Sequence, residues 1–354
     1  MDNLTQKILQ ALSKVYDPDL KQDLVSLGMI DALVIDHTTI TFTLVLTTPA
    51  CPMQALMKQA CIEAIQQSLG SGFSIVIQTT AKVTSSRSKA AMLPEVKNVI
   101  AIASGKGGVG KSTIATHLAL TLANHGAAVG LLDADIFGPS IPTMWGCETE
   151  KPKMVVHDGK KYMLPIERCG VKLFSIGFLA SSQEALVWRG PMASAAFKQL
   201  LQEVYWGKLD YLLIDLPPGT SDIHLTLVKT IAVTGVVLVT TPQKVALIDA
   251  VKAMAMFRKE QIQLPILGLV ENMSYLCNSD KNAITPQYIF GREGGKRLAA
   301  KENIPFLGQV PLMAQICAIG DSGVTADTHI EVFDPITQQL AQQIAIRNAM
   351  PHGE

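Results

Sequence analysis

At 354 residues the chain is too long for one small module, so two domains, or one large α/β domain with an appendage, is the starting expectation. Hydrophobic residues at 48% against 17% charged exclude intrinsic disorder, because the apolar surface is ample to offset chain entropy. Thirty Lys+Arg balance thirty Asp+Glu, so no net field holds the chain on nucleic acid or an anionic membrane, and any basic patch must be local.

The opening MDNLTQKILQ has an early Asp and no apolar core, which reads against a secretory leader and for the cytoplasm. The most apolar windows, such as 114–123, are broken by Thr and His and fall short of the roughly 18 residues that span a bilayer. Leu4, Ile8, Leu9, Leu12 and Val15 recur at helical spacing until Asp17-Pro18 stops the run. Met29 to Ile35 and Ile40 to Leu46 read as a strand hairpin turning at His37-Thr38-Thr39. Pro49 to Leu69 follows as a helix and Phe73 to Ile77 as a strand, which makes a small α-β-β-α-β domain over residues 1–83.

Residues 84–97 are polar and irregular and read as a linker. From there to residue 354 short apolar runs alternate with helical patterns: VIAIA, VGLLD, YLLIDL, VVLVT, ILGLV and FLGQV, with a closing helix over residues 335–350. That alternation predicts an α/β domain, a mainly parallel sheet with helices on both faces.

Directly after VIAIAS stands Gly105-Lys106-Gly107-Gly108-Val109-Gly110-Lys111-Ser112, which fits G-x-x-x-x-G-K-[ST] between a strand and a helix. Glycines let successive N–H groups turn inward on phosphate oxygens, and the helix N-terminus adds partial positive charge. Lys111 supplies a point charge and Ser112 a hydroxyl for Mg²⁺, a hard cation that prefers oxygen ligands. Asp215, ending the apolar run Tyr211 to Ile214, is the candidate carboxylate on the metal side. Asp133 and Asp135 follow Val129 to Leu132 at the same expected edge, and either could orient an attacking water or cap a turn.

The stretch Lys106 to Thr113 resembles the deviant Walker A motif of the MinD/ParA/nitrogenase-iron-protein class. Asp133-Ala134-Asp135-Ile136-Phe137-Gly138-Pro139-Ser140, Trp188 to Met192, Asp215 to Asp222 and Glu271-Asn272-Met273-Ser274 resemble its Mrp/ApbC branch of iron-sulfur cluster carrier ATPases. Asp17 to Leu20, Val25 to Ile30 and Thr47 to Met53 resemble the small domain of iron-sulfur assembly factors.

The resemblance implies ATP and Mg²⁺ held by Gly105 to Thr113, with Ser112 and Asp215 on the metal. It implies a homodimer in which Lys106 reaches the partner's nucleotide, with Lys111 and Asp135 as catalytic groups and Asp135 positioning the water. It further implies that the Gly219 N–H senses the γ-phosphate and that Asn272 reads the adenine edge. Hydrolysis should be slow, as suits a switch whose output is a population shift.

Members of that branch follow Asn-Met-Ser with CxxC, where two pairs bridge a [4Fe-4S] cluster across the dimer. This chain reads Tyr275-Leu276-Cys277-Asn278-Ser279-Asp280-Lys281, with one cysteine and no partner two or three residues on. Six cysteines stand at 51, 61, 147, 169, 277 and 317, none closer than ten residues, which argues for free thiols. Cys277 is the candidate cluster ligand, and Cys317 or Cys51 a further one, the latter at a helix start that favours thiolate. His117, His125, His157 and His224 lack metal-ligand spacing.

Three functions stay open. One is an ATP-dependent cluster carrier serving apo iron-sulfur proteins and assembly factors. A second is a cluster-free adaptor in the same pathway. The third is a positioning switch on membrane or DNA, for which the closing helix, with Arg347 alone as a basic residue, and the zero net charge give little support. Partners are therefore expected to be a second copy and client proteins, with no membrane and no nucleic acid.

Overall fold

The computed structural model describes residues 3–87, 92–136, 138–179, 190–220, 222–277 and 286–350. It divides into two compact units, Met1–Ser85 with Ala341–Glu354, and Ser86–Leu340. The sequence pattern alone suggests a cut at residue 83 and a second domain running to 354. The contact division differs chiefly at the end, because the closing helix is one continuous element and periodicity does not say what each half packs on.

In the first unit, α1 (Asn3–Leu12), β1 (Tyr16–Asp17), β2 (Gln22–Asp23), β3 (Ile30–Asp36), β4 (Thr39–Leu46), α2 (Gln54–Leu69) and β5 (Ser74–Ala81) follow in order. β4 is the centre of a three-stranded sheet, antiparallel to β3 and parallel to β5. Its burial alternates, with Ile40, Phe42, Leu44 and Leu46 on one face, packed with Ile8 and Leu12 of α1 and Met57, Cys61 and Ile65 of α2. Each such fully buried side chain contributes roughly 1.5–3 kcal/mol. The β3–β4 turn falls between Asp36 and Thr39, with His37 at φ 49°. α2 begins at Gln54, past Pro49 and Pro52, and a short β1–β2 ladder surrounds the Asp17-Pro18 stop.

The second unit opens on β6 (Val96–Ser104), α3 (Lys111–Asn124), β7 (Val129–Asp133) and α4 (Ile141–Met144). β8 (Met154–His157), β9 (Lys160–Met163), β10 (Ile166–Arg168), β11 (Val171–Ser175), α5 (Gly190–Glu203), β12 (Leu209–Asp215) and α6 (Asp222–Thr230) follow. It continues with β13 (Gly235–Thr240), α7 (Lys244–Phe257), β14 (Ile266–Glu271), β15 (Leu276–Cys277), β16 (Pro286–Gln287) and α8 (Gly294–Lys301). β17 (Phe306–Gln309), α9 (Ala314–Ser322) and α10 (Phe333–Ala349) complete the chain, and the division between units falls inside α10.

Eight strands form one sheet in the order β10-β11-β7-β12-β6-β13-β14-β17, parallel throughout except for the β10–β11 pair. β7 and β13 are buried at every position and β6 at all but one, as strands covered on both faces must be. α3 packs on β6, β7 and β12, and α7 on β6 and β13. All six apolar runs read from the sequence are strands of this sheet. β10 and β11, and the separate β8–β9 hairpin, are additions that Lys160, Lys161, Glu167, Arg168 and Lys172 conceal by diluting the apolar signal.

Arg87, in the predicted linker, is fastened rather than free. Its guanidinium donates to the backbone carbonyls of Ala232, Leu93, Val96 and Met92, and burial pulls its pKa down to about 10. Four carbonyls around one planar fork tie the start of this unit to the entry of β6.

Candidate nucleotide site and the cysteines

β6 and β12 are paired so that Asp215 lies opposite Ile102, and β12 and β7 so that Asp215 lies opposite Asp133. The strand ends therefore bring the phosphate loop and both carboxylates to the carboxyl edge of the sheet, where open α/β folds place their ligands. Lys106, Gly107, Gly108, Lys111, Ser112 and Thr113 line a cavity of about 280 Å³ there, together with Asp135, Ser140 and Pro218.

Two glycines of the loop are required by close approach. A Cβ on Gly105 would sit 2.2 Å from the carbonyl carbon of Asp249, so α7 presses directly on the start of the loop. Gly110 has φ 83°, and a Cβ there would lie 2.1 Å from Asn272 Nδ2. Ser104 Oγ donates to the Lys106 carbonyl at 2.9 Å and closes the curl from within.

Lys111 Nζ donates to Asp215 Oδ1 at 2.7 Å, Ser112 Oγ donates to Asp215 Oδ2 at 2.6 Å, and Asp135 Oδ2 lies 3.8 Å from the same ammonium. Lys111 is only 6% exposed and Asp215 wholly buried, so this is a desolvated charge cluster. Burial raises the Asp215 carboxyl, opposed by the Lys111 ammonium and the Ser112 hydroxyl. Burial also pushes Asp133 up to about 7, with the charge of Asp215 adding to it.

The two candidate aspartates after β7 are separated by their contacts. Asp133 Oδ1 accepts the Asp135 N–H at 3.1 Å, and Oδ2 accepts the Ile141 N–H at 3.2 Å and the Ser175 hydroxyl at 3.0 Å. That carboxylate is committed to holding the 135–141 segment, whereas Asp135 lines the cavity. Lys106 also lines it, and among the described residues its ammonium has no carboxylate within ion-pair distance.

Gly219 takes φ 81°, and its N–H donates to the Ser104 carbonyl at 2.9 Å, so the amide that resemblance assigns to a γ-phosphate is bonded to β6. Asn272 is buried at the end of β14. Its own N–H donates to Thr240 O at 2.8 Å and its side-chain Nδ2 to Val109 O at 2.9 Å. Sequence reasoning offered Asn272 as a base-reading residue and missed that it also clamps the phosphate loop. The signal was indirect: only a neighbour pressed on Gly110 makes the glycine obligatory.

The cysteines are dispersed. Cys61 and Cys147 are buried, with thiols pushed up to about 12 and about 11 by burial, and Cys169 is half-buried and raised for the same reason. Cys51 does not have the thiolate-favouring setting expected from a helix start. Burial raises its thiol, backbone N–H groups at Met53 and Gln54 oppose this, and the carboxylates of Asp17 and Asp19 add to the rise. Cys317 is exposed on α9 and lines a second cavity, of about 350 Å³, with Thr113, Asn272 and Leu312.

Cys277 is the last residue of β15, and its side chain lies outside what is described, as do Asn278, Ser279, Asp280 and Lys281. Phe137, Trp188, Arg189 and Ser221, which carry part of the family resemblance, also lie outside the described residues. Among the described residues no group of three or more His, Cys, Asp or Glu is arranged to hold a metal ion, and no helix is long and apolar enough to cross a membrane.

Comparison with known proteins agrees with this geometry. Residues 95–345 match the family described as NUBPL iron-transfer P-loop NTPase, and residues 5–74 match the iron-sulfur cluster assembly protein family. An iron-sulfur cluster carrier protein of Synechocystis sp. is 43% identical over 327 residues, 90% of each chain. One from Deinococcus radiodurans is 43% identical over 350 residues, 97% of each. A nucleotide-binding protein from Archaeoglobus fulgidus, solved in complex with ADP, superposes with a TM-score of 0.58 at 37% identity, covering 68% of this chain and 93% of that one. With a parallel sheet that ends in this phosphate loop, the chain belongs to the NUBPL-type iron-transfer P-loop NTPases, and its first residues to the iron-sulfur cluster assembly family.

Proposed function

We propose that the chain binds ATP with Mg²⁺ at Gly105 to Thr113, hydrolyses it slowly, and acts as a cytoplasmic homodimer that carries an iron-sulfur cluster to apo-proteins. The observation that carries the nucleotide half is the cluster of Lys111, Ser112 and Asp215 in the loop cavity. A lysine ammonium and a serine hydroxyl turned onto one buried carboxylate fit a triphosphate and a hard divalent cation, which offer the same two groups anionic oxygen and a ligand position. When bound, Mg²⁺ would neutralise charge on the phosphate oxygens, with Ser112 and Asp215 as its side of the protein.

Within this reading Lys111 holds the phosphate tail and Asp135, 3.8 Å from its ammonium, orients the water. Asp133 positions Asp135 through the latter's N–H. Lys106 reaches the nucleotide of the second copy. The Gly219 amide would leave Ser104 for the γ-phosphate, which makes nucleotide state legible to the segment after β12. Asn272 reads the base from the wall it already forms. The ADP complex of the Archaeoglobus relative and the carrier names of the bacterial relatives support the two halves of the reading.

The test is paired. Titration with Mg-ATP should show binding that Lys111→Ala abolishes and, by sedimentation, a dimer that depends on ATP. Anaerobic loading with ferrous iron and sulfide should give a visible charge-transfer absorption that Cys277→Ser loses, and transfer to an apo-ferredoxin. ATP-dependent dimerisation without bound iron would instead favour the cluster-free adaptor, to which the absence of a CxxC already points.

A further inference from the structure

We propose that the cavity at the amino ends of β6 and β12 is a binding site for a small aromatic acid, a planar apolar body with one carboxylate, at the opposite edge of the sheet from the phosphate loop. The proposal is independent of the carrier reading above.

The strands fix where the cavity lies. Val96 opens β6 and Val204 to Gly207 lead into β12, and both line a space of about 830 Å³. The same two strands run in parallel to the phosphate loop and to Asp215, so this cavity and the loop cavity stand at opposite ends of one pair. A third wall is the β8–β9 hairpin, fastened by the Met163–Val204 bridge and by the Tyr205 N–H, which donates to Met163 O at 2.9 Å. Small-molecule sites run from about 300 to 1,000 Å³, whereas a folded partner needs a broader surface, about 800 Å² a side.

The lining suits an aromatic body. Tyr205 has the His157 ring at 4.8 Å and the Tyr162 ring at 5.9 Å, tilted by 47° and 56°, so the three offer edges and faces to a further ring rather than a closed stack. Leu93, Leu201 and Val204 supply aliphatic surface beside them. Trp206 is 2% exposed, and its Nε1 has no hydrogen-bond partner among the described residues. A Cβ on Gly130 would lie 2.9 Å from Trp206 Cζ3, so the benzo edge faces β7 and leaves the pyrrole edge, with the unpaired donor, on the other side. A buried donor without an acceptor is costly, and an occupant that brings an oxygen to that edge relieves it.

Charge selects an acid. Lys160 and Lys161 line the hairpin side, and among the described residues neither has a carboxylate within ion-pair distance. The acids of the wall are placed otherwise: both Glu203 oxygens accept from Gln199 Nε2, at 2.9 and 3.0 Å, and Glu95 is exposed next to the start of β6. His157 Nε2 has Asp158 Oδ2 at 3.5 Å. Two ammonium groups without a partner on one side of a largely apolar cavity fit one carboxylate at one end of an apolar ring.

The full chain is titrated by calorimetry with 2-naphthoate, with its neutral analogue 2-naphthylmethanol, and with 2-naphthoate in saturating Mg-ATP. Wild type should bind one naphthoate per chain, with an affinity that Mg-ATP changes by less than about twofold. The double variant Lys160→Ala/Lys161→Ala, at exposed positions, should weaken naphthoate about tenfold and leave naphthylmethanol within about twofold. Gln202→Trp, at an exposed position on the cavity wall, should fill the space and weaken both ligands at least about tenfold. In the wild type, naphthoate should slow acetylation of Lys160 and Lys161, read by mass spectrometry, at least about fivefold and leave the exposed Lys301 unchanged, a readout that needs no variant to fold. No saturable binding, displacement by Mg-ATP, undiminished affinity in the lysine variant, or undiminished acetylation of Lys160 and Lys161 each overturns the proposal. A peptide ending in Trp with a free carboxylate that protects the two lysines where naphthoate does not overturns it in favour of a peptide groove.

Discussion

The loop after β6 and the two segments after β14 and β17 leave the same edge of one sheet, and they are constructed oppositely. The loop is held at its two ends by Asp249 backbone and Asn272, which press on Gly105 and Gly110, and by the buried Lys111–Asp215 pair. The segments after β14 and β17 are joined by backbone hydrogen bonds, and α9, which packs on α4, has no fully buried residue. A phosphate-gripping loop requires fixed N–H directions, and fixing them demands packing. The segments after β14 and β17 carry no such constraint, and the residues of α9 stay exposed or half-buried. The two regions meet at Asn272, which clamps the loop and opens the segment that leads to Cys277.

That contrast can be broken at either end. The largest effect is expected from Lys111→Met, which strands a wholly buried carboxylate: about 3–5 kcal/mol of stability, and Mg-ATP affinity down by about a hundredfold or more, read by denaturant titration and nucleotide binding. Gly105→Ala should follow with about 3 kcal/mol, because the atom in its way is α7 backbone, which has no rotamer to yield. A Gly105→Ala chain as stable as wild type would show that α7 does not brace the loop.

Asp133 sharpens the comparison through pH. Its raised carboxyl keeps a proton in the folded chain between about pH 4 and about 7 that the unfolded chain has released. The stability it lends is therefore full below about pH 4 and lost as the pH rises through about 7, on the order of 2 kcal/mol when its coupling to Asp215 is allowed for. Chemical denaturation of nucleotide-free protein across that range should show a decline that Asp133→Asn lacks.

Asn272→Ala leaves the Val109 carbonyl without its amide and should cost about 1–2 kcal/mol, with weaker nucleotide binding in the same titration. The smallest effect belongs to the cysteine side: Cys317→Ser on the cluster-free chain should shift stability by less than about 0.5 kcal/mol, as at an ordinary surface position. A larger loss in thermal unfolding would mean that the Cys317 side chain itself is packed.

Much of the large sheet was legible because VIAIA, VGLLD, YLLIDL, VVLVT, ILGLV and FLGQV are apolar at consecutive positions, and only strands covered on both faces are written that way. β8 to β11 were not, since MVVH is only four residues long and the other three, of three to five residues, are broken by lysine, glutamate or arginine. The phosphate loop could be read letter by letter, as its glycines, lysine and serine act through local backbone geometry. Asp133 and Asp135 could not be told apart, because two residues at one strand end share the same pattern and differ only in which donors, Ile141 and Ser175 among them, come to meet them.

Local chemistry was thus settled by the amino-acid order: a loop that must curl, a lysine and serine in register with it, and cysteines too far apart in the chain to act as a local pair. What folding alone decided is which distant groups those residues meet. Asn272 and Asp249 reach the loop from more than a hundred residues away, Arg87 finds four carbonyls, and Leu312 comes back beside the strand that ends at Cys277. The reason is that hydrogen-bond geometry within a turn depends on neighbours in the chain, whereas burial and charge pairing depend on neighbours in space, which only the packed sheet defines.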